Sequence, residues 1–399
     1  MRIDVVTVMR RNLALFPYFE FARSLIFTIP IWVAYKRQFI SGSELIFLEG
    51  VLLGSQLILE LPTGAFADLL GKRASVALGF FAIALAYVLY AFATNFQMFL
   101  VTALLTGLGE ALISGAKEAL LYDTLKEAGE EDRFSKVNAR LEIIFQVGIG
   151  LATLVGGVLG SIDLRIPIWL YVGAMAATGV IALGFREPFI DTEKFTLKRY
   201  VKQNREGFRE IHKTPYIWQI SLFYVLVGAV SWSCMLAFNV MVLTDIGYTP
   251  IQLGITVALM RVVNSFVLFR LINVGNLIRK HNVFLFFPIL LIAALIPGIW
   301  LTKWVAIPFV AASMFASTAR WVLLSKYTNE HFDSRKRATA ISSLSMLIGV
   351  LYVLFMVGLG PVIDWWGNAR IIYTVLGVFS ALTILPLGIR LTKAHGSAR

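Results

Sequence analysis

Stretches of about twenty apolar residues, the length a helix needs to cross the hydrocarbon of a bilayer, recur along the whole of this 399-residue chain. Twelve can be drawn, at 13–35, 44–66, 74–94, 98–122, 141–160, 166–185, 216–243, 250–272, 283–301, 305–325, 339–363 and 371–390. In lipid every backbone N–H and C=O needs an internal partner, so segments of this kind fold as α-helices. Composition agrees: 58% of residues are hydrophobic and 15% charged, against about 45–50% and about 25% in an ordinary soluble domain. A soluble globule cannot hide that much apolar surface. The same figures exclude a disordered chain and most cytosolic enzymes. A disulfide-stapled secreted domain is excluded because the one cysteine, Cys234, has no second cysteine to pair with and lies in an apolar run as filler.

The net charge of +12 would suggest a nucleic-acid partner in a soluble protein. Here the cations sort by loop. With both termini on the cytoplasmic side, that side receives 27 Lys and Arg, the opposite face five (Lys36, Arg37, Arg165, Lys303 and Arg370), and four lie within spans. The asymmetry follows the positive-inside rule and accounts for the basic charge without nucleic acid. The expected location is the inner (plasma) membrane, multi-pass. The first span has no short apolar region followed by a small-residue cleavage site and reads as a retained helix.

One long charged segment, Glu187 to Thr214, separates six spans from six. The expected organisation is therefore an N-terminal bundle over 1–187, a cytoplasmic linker over 188–213 and a C-terminal bundle over 214–399. Phe195, Tyr200, Val201, Phe208 and Ile211 alternate with cations in the linker, as in short amphipathic helices at the headgroups or a solvated connection. The halves also echo each other: a span ending at Tyr122 and Asp123 with a charged loop to Arg140 is matched by one ending near Tyr327 with a loop to Arg337. Glycines crowd span five (Gly148, Gly150, Gly156, Gly157, Gly160) and span eleven (Gly349, Gly358, Gly360), where missing side chains let helices approach.

After span two comes Gly64-Ala65-Phe66-Ala67-Asp68-Leu69-Leu70-Gly71-Lys72-Arg73. This resembles the signature loop of the major facilitator superfamily, G-x-x-x-D-x-x-G-[RK]-[RK] between spans two and three, and it falls in a chain with that family's 6 + 6 division. The resemblance implies an all-α membrane protein of twelve transmembrane helices in two pseudo-symmetric six-helix bundles. Gly64 and Gly71 would permit a tight turn, and the charges would latch the cytoplasmic side. Asp68 would then lie near Ala338 to Ser342, and Lys72 or Arg73 near Asp123. The stretch from Gly109 to Asp123 is similar to span four of bacterial members grouped with multidrug and small-molecule exporters. Two departures count against drug and proton antiport: span four has no arginine in its outer half, and Gly156-Gly157 lacks the Gly-Pro pair of the antiporter motif. The equivalent loop of the second half, Asn273 to Lys280, keeps a glycine and cations but no acid.

An ionisable side chain in the hydrocarbon costs at least about 2.5–3.5 kcal/mol, so each needs a partner, a water-filled cavity or a function. Glu20, Arg23, Glu60, Glu110, Lys117 and Glu118 fall in spans of the first half; the second half contributes Arg261 and Arg320 and no carboxylate within a span. Glu20 and Arg23, three apart, share a helical face and could form a structural ion pair. Glu110 is near mid-depth, where burial favours the neutral carboxyl that a proton carrier needs. Lys117 follows seven positions later, on nearly the same face. Glu60, just before Pro62, fits the latch better than a substrate site. Arg261 and Arg320 have no acid in their own bundle and must meet acids of the first half, bind carbonyls or attract an anionic substrate group. Tyr18, Phe19, Trp232, Phe238 and Trp321 are candidate cavity aromatics.

No G-x-x-x-x-G-K-[ST] loop is present, and His212, His281, His331 and His395 are scattered without metal-ligand spacing. No cofactor, metal or enzymatic chemistry is expected. The function expected is secondary active transport: proton-coupled export of a small amphipathic or anionic compound, by a monomer in the lipid bilayer. The alternatives are proton-coupled uptake of a small organic acid or sugar, and a non-transporting membrane sensor with the same fold.

Overall fold

The computed structural model describes residues 2–188, 197–273, 282–324, 331–333 and 336–396. Among the described residues there is no strand, and eleven helices are long and apolar enough to cross a membrane. They follow α1, Arg2–Ser24, which carries charges at Arg10, Arg11, Glu20 and Arg23. The echo between the halves near Tyr327, and the loop Asn273 to Lys280 beyond its first residue, lie outside the described residues.

The chain forms two compact units. The first comprises 1–40, 51–197 and 250–255; the second comprises 41–50, 198–249 and 256–399. In the first, α1 is followed by the short α2 (Trp32–Lys36), and α3 (Gly42–Leu70) enters at residue 51. Next come α4 (Lys72–Phe92), α5 (Phe96–Ile113), α6 (Ala116–Glu127), α7 (Phe134–Gly160) and α8 (Arg165–Gly184). Helix α4 packs against α5 and α8, and α1 against α7. Phe16, Phe19, Phe80, Ile83, Leu120, Met175 and Phe185 form the apolar core. Small residues set the closest approaches: Gly156 faces the carbonyl of Phe27, Gly148 faces Ser24, and Gly157 faces Pro250 and Gly254.

The expected single span over 13–35 ends its helix at Ser24, and turns carry the chain to Ile31. Pro30 helps to keep the helix from resuming before Ile31. It has no N–H to donate and disfavours helical geometry at the residue before it.

The second unit contains α9 (Leu197–Ile211), α10 (Pro215–Ser233), α11 (Asn239–Asp245), α12 (Pro250–Asn273, from residue 256), α13 (Val283–Leu295) and α14 (Ala306–Ala319). It is completed by α15 (Arg337–Trp366), α16 (Arg370–Phe379) and α17 (Leu385–Gly396). Thr214 caps α10 by accepting from the Ile217 N–H at 3.2 Å, with Pro215 in the first turn where its missing N–H costs nothing. Helix α9 buries Gly207, Glu210 and Ile211, with Gly207 against Thr339 and Ser343 of α15, and exposes Lys202, Arg205 and Arg209. Three π-helical turns interrupt the spans: Cys234–Phe238 between α10 and α11, Arg320–Leu324 after α14, and Ser380–Ile384 after α16.

Candidate functional site

In the first unit α1 delivers Glu20 and Arg23 to one face, and they form an ion pair. Glu20 is 3% exposed, and its other carboxylate oxygen accepts from Lys117 Nζ of α6 at 3.2 Å. The Arg23 guanidinium lies 4.2 Å from the centre of the Phe145 ring of α7. One buried acid is thus shared by two cations, so the cluster retains a positive charge.

Glu110 lies three residues before the end of α5. Its carboxyl has no hydrogen-bond partner among the described residues, while Arg23 and Tyr171 are close enough to act on it electrostatically. The Tyr171 ring meets Tyr87 edge-on, with ring centres 4.4 Å apart. Span four, expected unbroken over 98–122, is interrupted at Ser114 and Gly115. Gly115 adopts φ 74°, a conformation that glycine enters without a Cβ penalty. The Ser114 N–H still donates to the Glu110 carbonyl at 2.8 Å, ending α5, and Ser114 Oγ donates to Glu60 Oε1 at 2.9 Å. The break cancels the helical register that would stack Lys117 two turns from Glu110. Lys117 turns to Glu20 instead.

The signature residues sit at the junction of α3 and α4. Gly64 lies inside α3, which continues to Leu70, so the expected tight turn is made by Gly71 alone. Gly71 has φ 92° and ψ 151°, a region essentially closed to other residues. The Asp68 side chain lies outside the described residues. Lys72 Nζ is paired with Asp123 near the end of α6. Glu187, just past α8, accepts from the backbone N–H groups of Lys72 at 2.7 Å and Arg73 at 2.9 Å. A carboxylate there satisfies two of the free donors at the start of α4 and complements its dipole. The Arg73 side chain reaches back to the Phe185 carbonyl at 3.4 Å. Asn12 of α1 donates to Thr124 Oγ1 at 3.0 Å and to the Arg186 carbonyl at 2.9 Å, and accepts from the Arg186 N–H. The start of α4 and the ends of α6 and α8 are thus fastened together, with the middle of α1 tied to them through Asn12.

In the second unit Arg261 lies on α12, its buried Nε without a hydrogen-bond partner among the described residues. Arg320 opens a π-helical turn and is fully buried. Its guanidinium lies over Tyr224 at 5.0 Å and Trp321 at 4.5 Å, and its Nε and Nη1 find no hydrogen-bond partner among the described residues. Of the candidate aromatics, Phe19 and Phe238 are core residues with no exposed surface, Tyr18 is 68% exposed and Trp321 47%. Phe19 packs edge-on against Phe16, Phe80 and Phe185.

Sequence reasoning missed a polar knot at the first π-helical turn. Asn239 Oδ1 accepts from Ser313 Oγ at 3.0 Å and from the Tyr373 hydroxyl at 2.6 Å, all three buried, while Asn239 Nδ2 has no partner among the described residues. It also missed Glu187 and the break at Gly115. The only available signals were the Ser-Gly pair in span four and an acid directly after span six.

Long apolar helices with buried charges among them define a multi-pass helical membrane protein. The family model described as Major Facilitator Superfamily matches residues 14–347, and the chain belongs to this superfamily of small-molecule transporters. It is 30% identical over 149 residues to the uncharacterized MFS-type transporter YxaM of Bacillus subtilis (strain 168), covering 35% of each chain. It is 22% identical over 231 residues to the quinolone resistance protein NorA of Staphylococcus aureus (strain N315), covering 57% of each. The chain thus spans about a third and somewhat over half of the lengths of these curated relatives. The fold is similar to the crystal structure of the nucleoside transporter NupG, with a TM-score of 0.75 at 14% identity over 96% of this chain and 99% of that one. A bacterial homolog of the human lysosomal transporter Spinster aligns with a TM-score of 0.66 at 16% identity, over 98% and 94% of the two chains.

Proposed function

We propose that this protein is a proton-coupled exporter of a small amphipathic or anionic compound, working by alternating access of bundles 1–187 and 214–399. The observation that carries the reading is the state of the two acids in the first unit. Glu20 is held by two cations, whereas the Glu110 carboxyl has no hydrogen-bond partner among the described residues, beside a charged arginine and a tyrosine. A carboxyl that is not locked into a pair is free to take up and release a proton as water reaches it. Glu110 is the proton carrier in this reading, with Glu20, Arg23 and Lys117 setting the field around it. Gly64, Asp68, Gly71, Lys72, Arg73 and Asp123 form the cytoplasmic gate.

The name of the Staphylococcus aureus relative links it to quinolone resistance, which favours export. The protein then works as a monomer in the inner membrane with both termini cytoplasmic. The test is transport by proteoliposomes under an imposed pH gradient. Accumulation driven by opposing proton flow supports export, and co-directional flow would establish uptake instead. Glu110→Gln is expected to abolish gradient-driven accumulation while leaving substrate counterflow intact. Full accumulation in that variant removes the role assigned to Glu110.

A further inference from the structure

Arg320 is a fully buried cation whose environment accounts for only part of its bonding capacity. A guanidinium offers five N–H donors and stays charged under all ordinary conditions. The rings of Tyr224 and Trp321 supply cation–π attraction, and the Tyr224 hydroxyl is close enough to interact. Nε and Nη1 nevertheless remain without hydrogen bonds among the described residues. Rings stabilise the charge but accept no hydrogen bonds of ordinary strength, so these two donors carry a desolvation cost that no acceptor among the described residues offsets.

The described acids of the second unit do not pair with it. Asp364 is taken by Ser43, Asp245 accepts from the Ala369 N–H, and Glu210 accepts from Lys213 and the Asp333 N–H. Glu49 acts on Tyr352. On the α10 side the guanidinium abuts Gly228, where an added Cβ would stand 3.2 Å from Nη1. Ile348 packs into the same space, its Cδ1 2.6 Å from that Cβ position, so on this side Nη1 meets the missing side chain and an apolar group but no acceptor among the described residues. Trp321, the next residue, is 47% exposed while Tyr224 is buried, so one of the two rings around the arginine faces outward from the packed interior. The π-helical turn Arg320–Leu324 holds an extra residue in the helix, a feature concentrated at functional sites, and relaxing it rotates the side chains it contains.

We propose that Arg320 is the recognition group for the anionic end of the transported compound, a carboxylate on an aromatic or apolar body, with Trp321 and Tyr224 taking that body. This names the substrate class and rests on the transporter reading above. A carboxylate would satisfy Nε and Nη1 with charge-assisted hydrogen bonds, and an aromatic body would pack on rings already present. Arg261, without an aromatic pair of this kind among the described residues, is a general source of positive potential.

The experiment measures binding to the full-length purified protein in detergent, without a gradient, by tryptophan quenching and thermal shift. The probes are naphthoate, its methyl ester and naphthylmethylamine. Naphthoate is expected to bind, with the ester and the amine at least about tenfold weaker, the loss expected for one charge-assisted hydrogen-bonded contact. Arg320→Gln is expected to lower naphthoate affinity about tenfold or more and to leave the ester unchanged, while Arg320→Lys, which keeps the charge, recovers part of it. Absence of naphthoate binding in the parent protein, or equal binding of the ester, overturns the assignment without any variant having to fold. Retained affinity in a folded Arg320→Gln protein overturns it as well. Because no gradient is applied, these outcomes are separate from failure of proton-coupled export, which the Glu110→Gln accumulation assay reads.

Discussion

Gly79 of α4 and Gly109 of α5 face each other so closely that a Cβ added to either would stand 2.7 Å from the carbonyl oxygen of the other. Backbone meets backbone there, and the neighbouring residue is Glu110. The approach follows from the missing side chains, since helices in lipid gain most from packing that only small residues allow.

Gly79→Val or Gly109→Val should therefore push α4 and α5 apart. Overpacking of a tight contact costs about 1–3 kcal/mol, and the carbonyl offers no flexible end to move. The expected outcome is a lower melting midpoint by intrinsic fluorescence for both variants. Where Gly109→Val still folds, proton-driven accumulation should fall further than binding, because Glu110 is displaced. A parent-like melting curve for Gly109→Val would show that the helices are not held at this distance.

The pair between Lys72 and Asp123 is enclosed, with side-chain exposures of 14% and 6%. Removing one partner of a pair this buried leaves an uncompensated charge, at a cost of about 3 kcal/mol. Asp123→Asn and Lys72→Met should each destabilise the protein by about that amount, and the double variant by less than their sum. A double-mutant cycle on chemical unfolding measures the difference. Strict additivity would mean that the two side chains do not share an interaction in the membrane.

The spans were legible in the sequence because burial in lipid demands unbroken apolar runs, and the signature loop because its glycine and charges stand at fixed spacing. The details at the sites were hidden for physical reasons. Gly115 breaks span four through a positive φ that many glycines could adopt and few do. A π-helical turn such as Arg320–Leu324 adds one residue to a helix without changing its composition. Glu187 reaches Lys72 and Arg73 only through tertiary packing over a separation of 115 residues. Pro30 was a readable signal for an interruption of the first span, though not for the end of α1 at Ser24.

Glu187 supplies both acceptors at the start of α4, so Glu187→Ala should leave the Lys72 and Arg73 N–H groups to water. The loss of a helix cap is typically about 1 kcal/mol. Amide exchange in the first turn of α4 should speed up several-fold while exchange in its middle is unaffected. Glu187→Asp should recover little, because the shorter side chain cannot span both N–H groups. Unchanged exchange in the alanine variant would show that the cap is dispensable.

Asn239 gives the sharpest ordering of effects. Its Oδ1 is the common acceptor for the Ser313 and Tyr373 hydroxyls, and all three side chains are buried. Tyr373→Phe removes one donor and leaves Oδ1 bonded to Ser313, which should cost about 1 kcal/mol, the net worth of a single hydrogen bond. Ser313→Ala should behave alike. Asn239→Ala is different in kind, because it strands two buried hydroxyls at once. Each stranded group carries a desolvation penalty of about 1–3 kcal/mol, and a cavity is added to the loss. The expected order of destabilisation is Asn239→Ala well above Tyr373→Phe, with Ser313→Ala beside the latter, read from melting midpoints of the three variants. Restoring apolar shape on both sides, as in Asn239→Leu with Tyr373→Phe, should recover stability relative to Asn239→Ala, since it removes the stranded Tyr373 hydroxyl and fills the space. Were Asn239→Ala no worse than Tyr373→Phe, the amide oxygen would not be the hub that joins α11, α14 and α16.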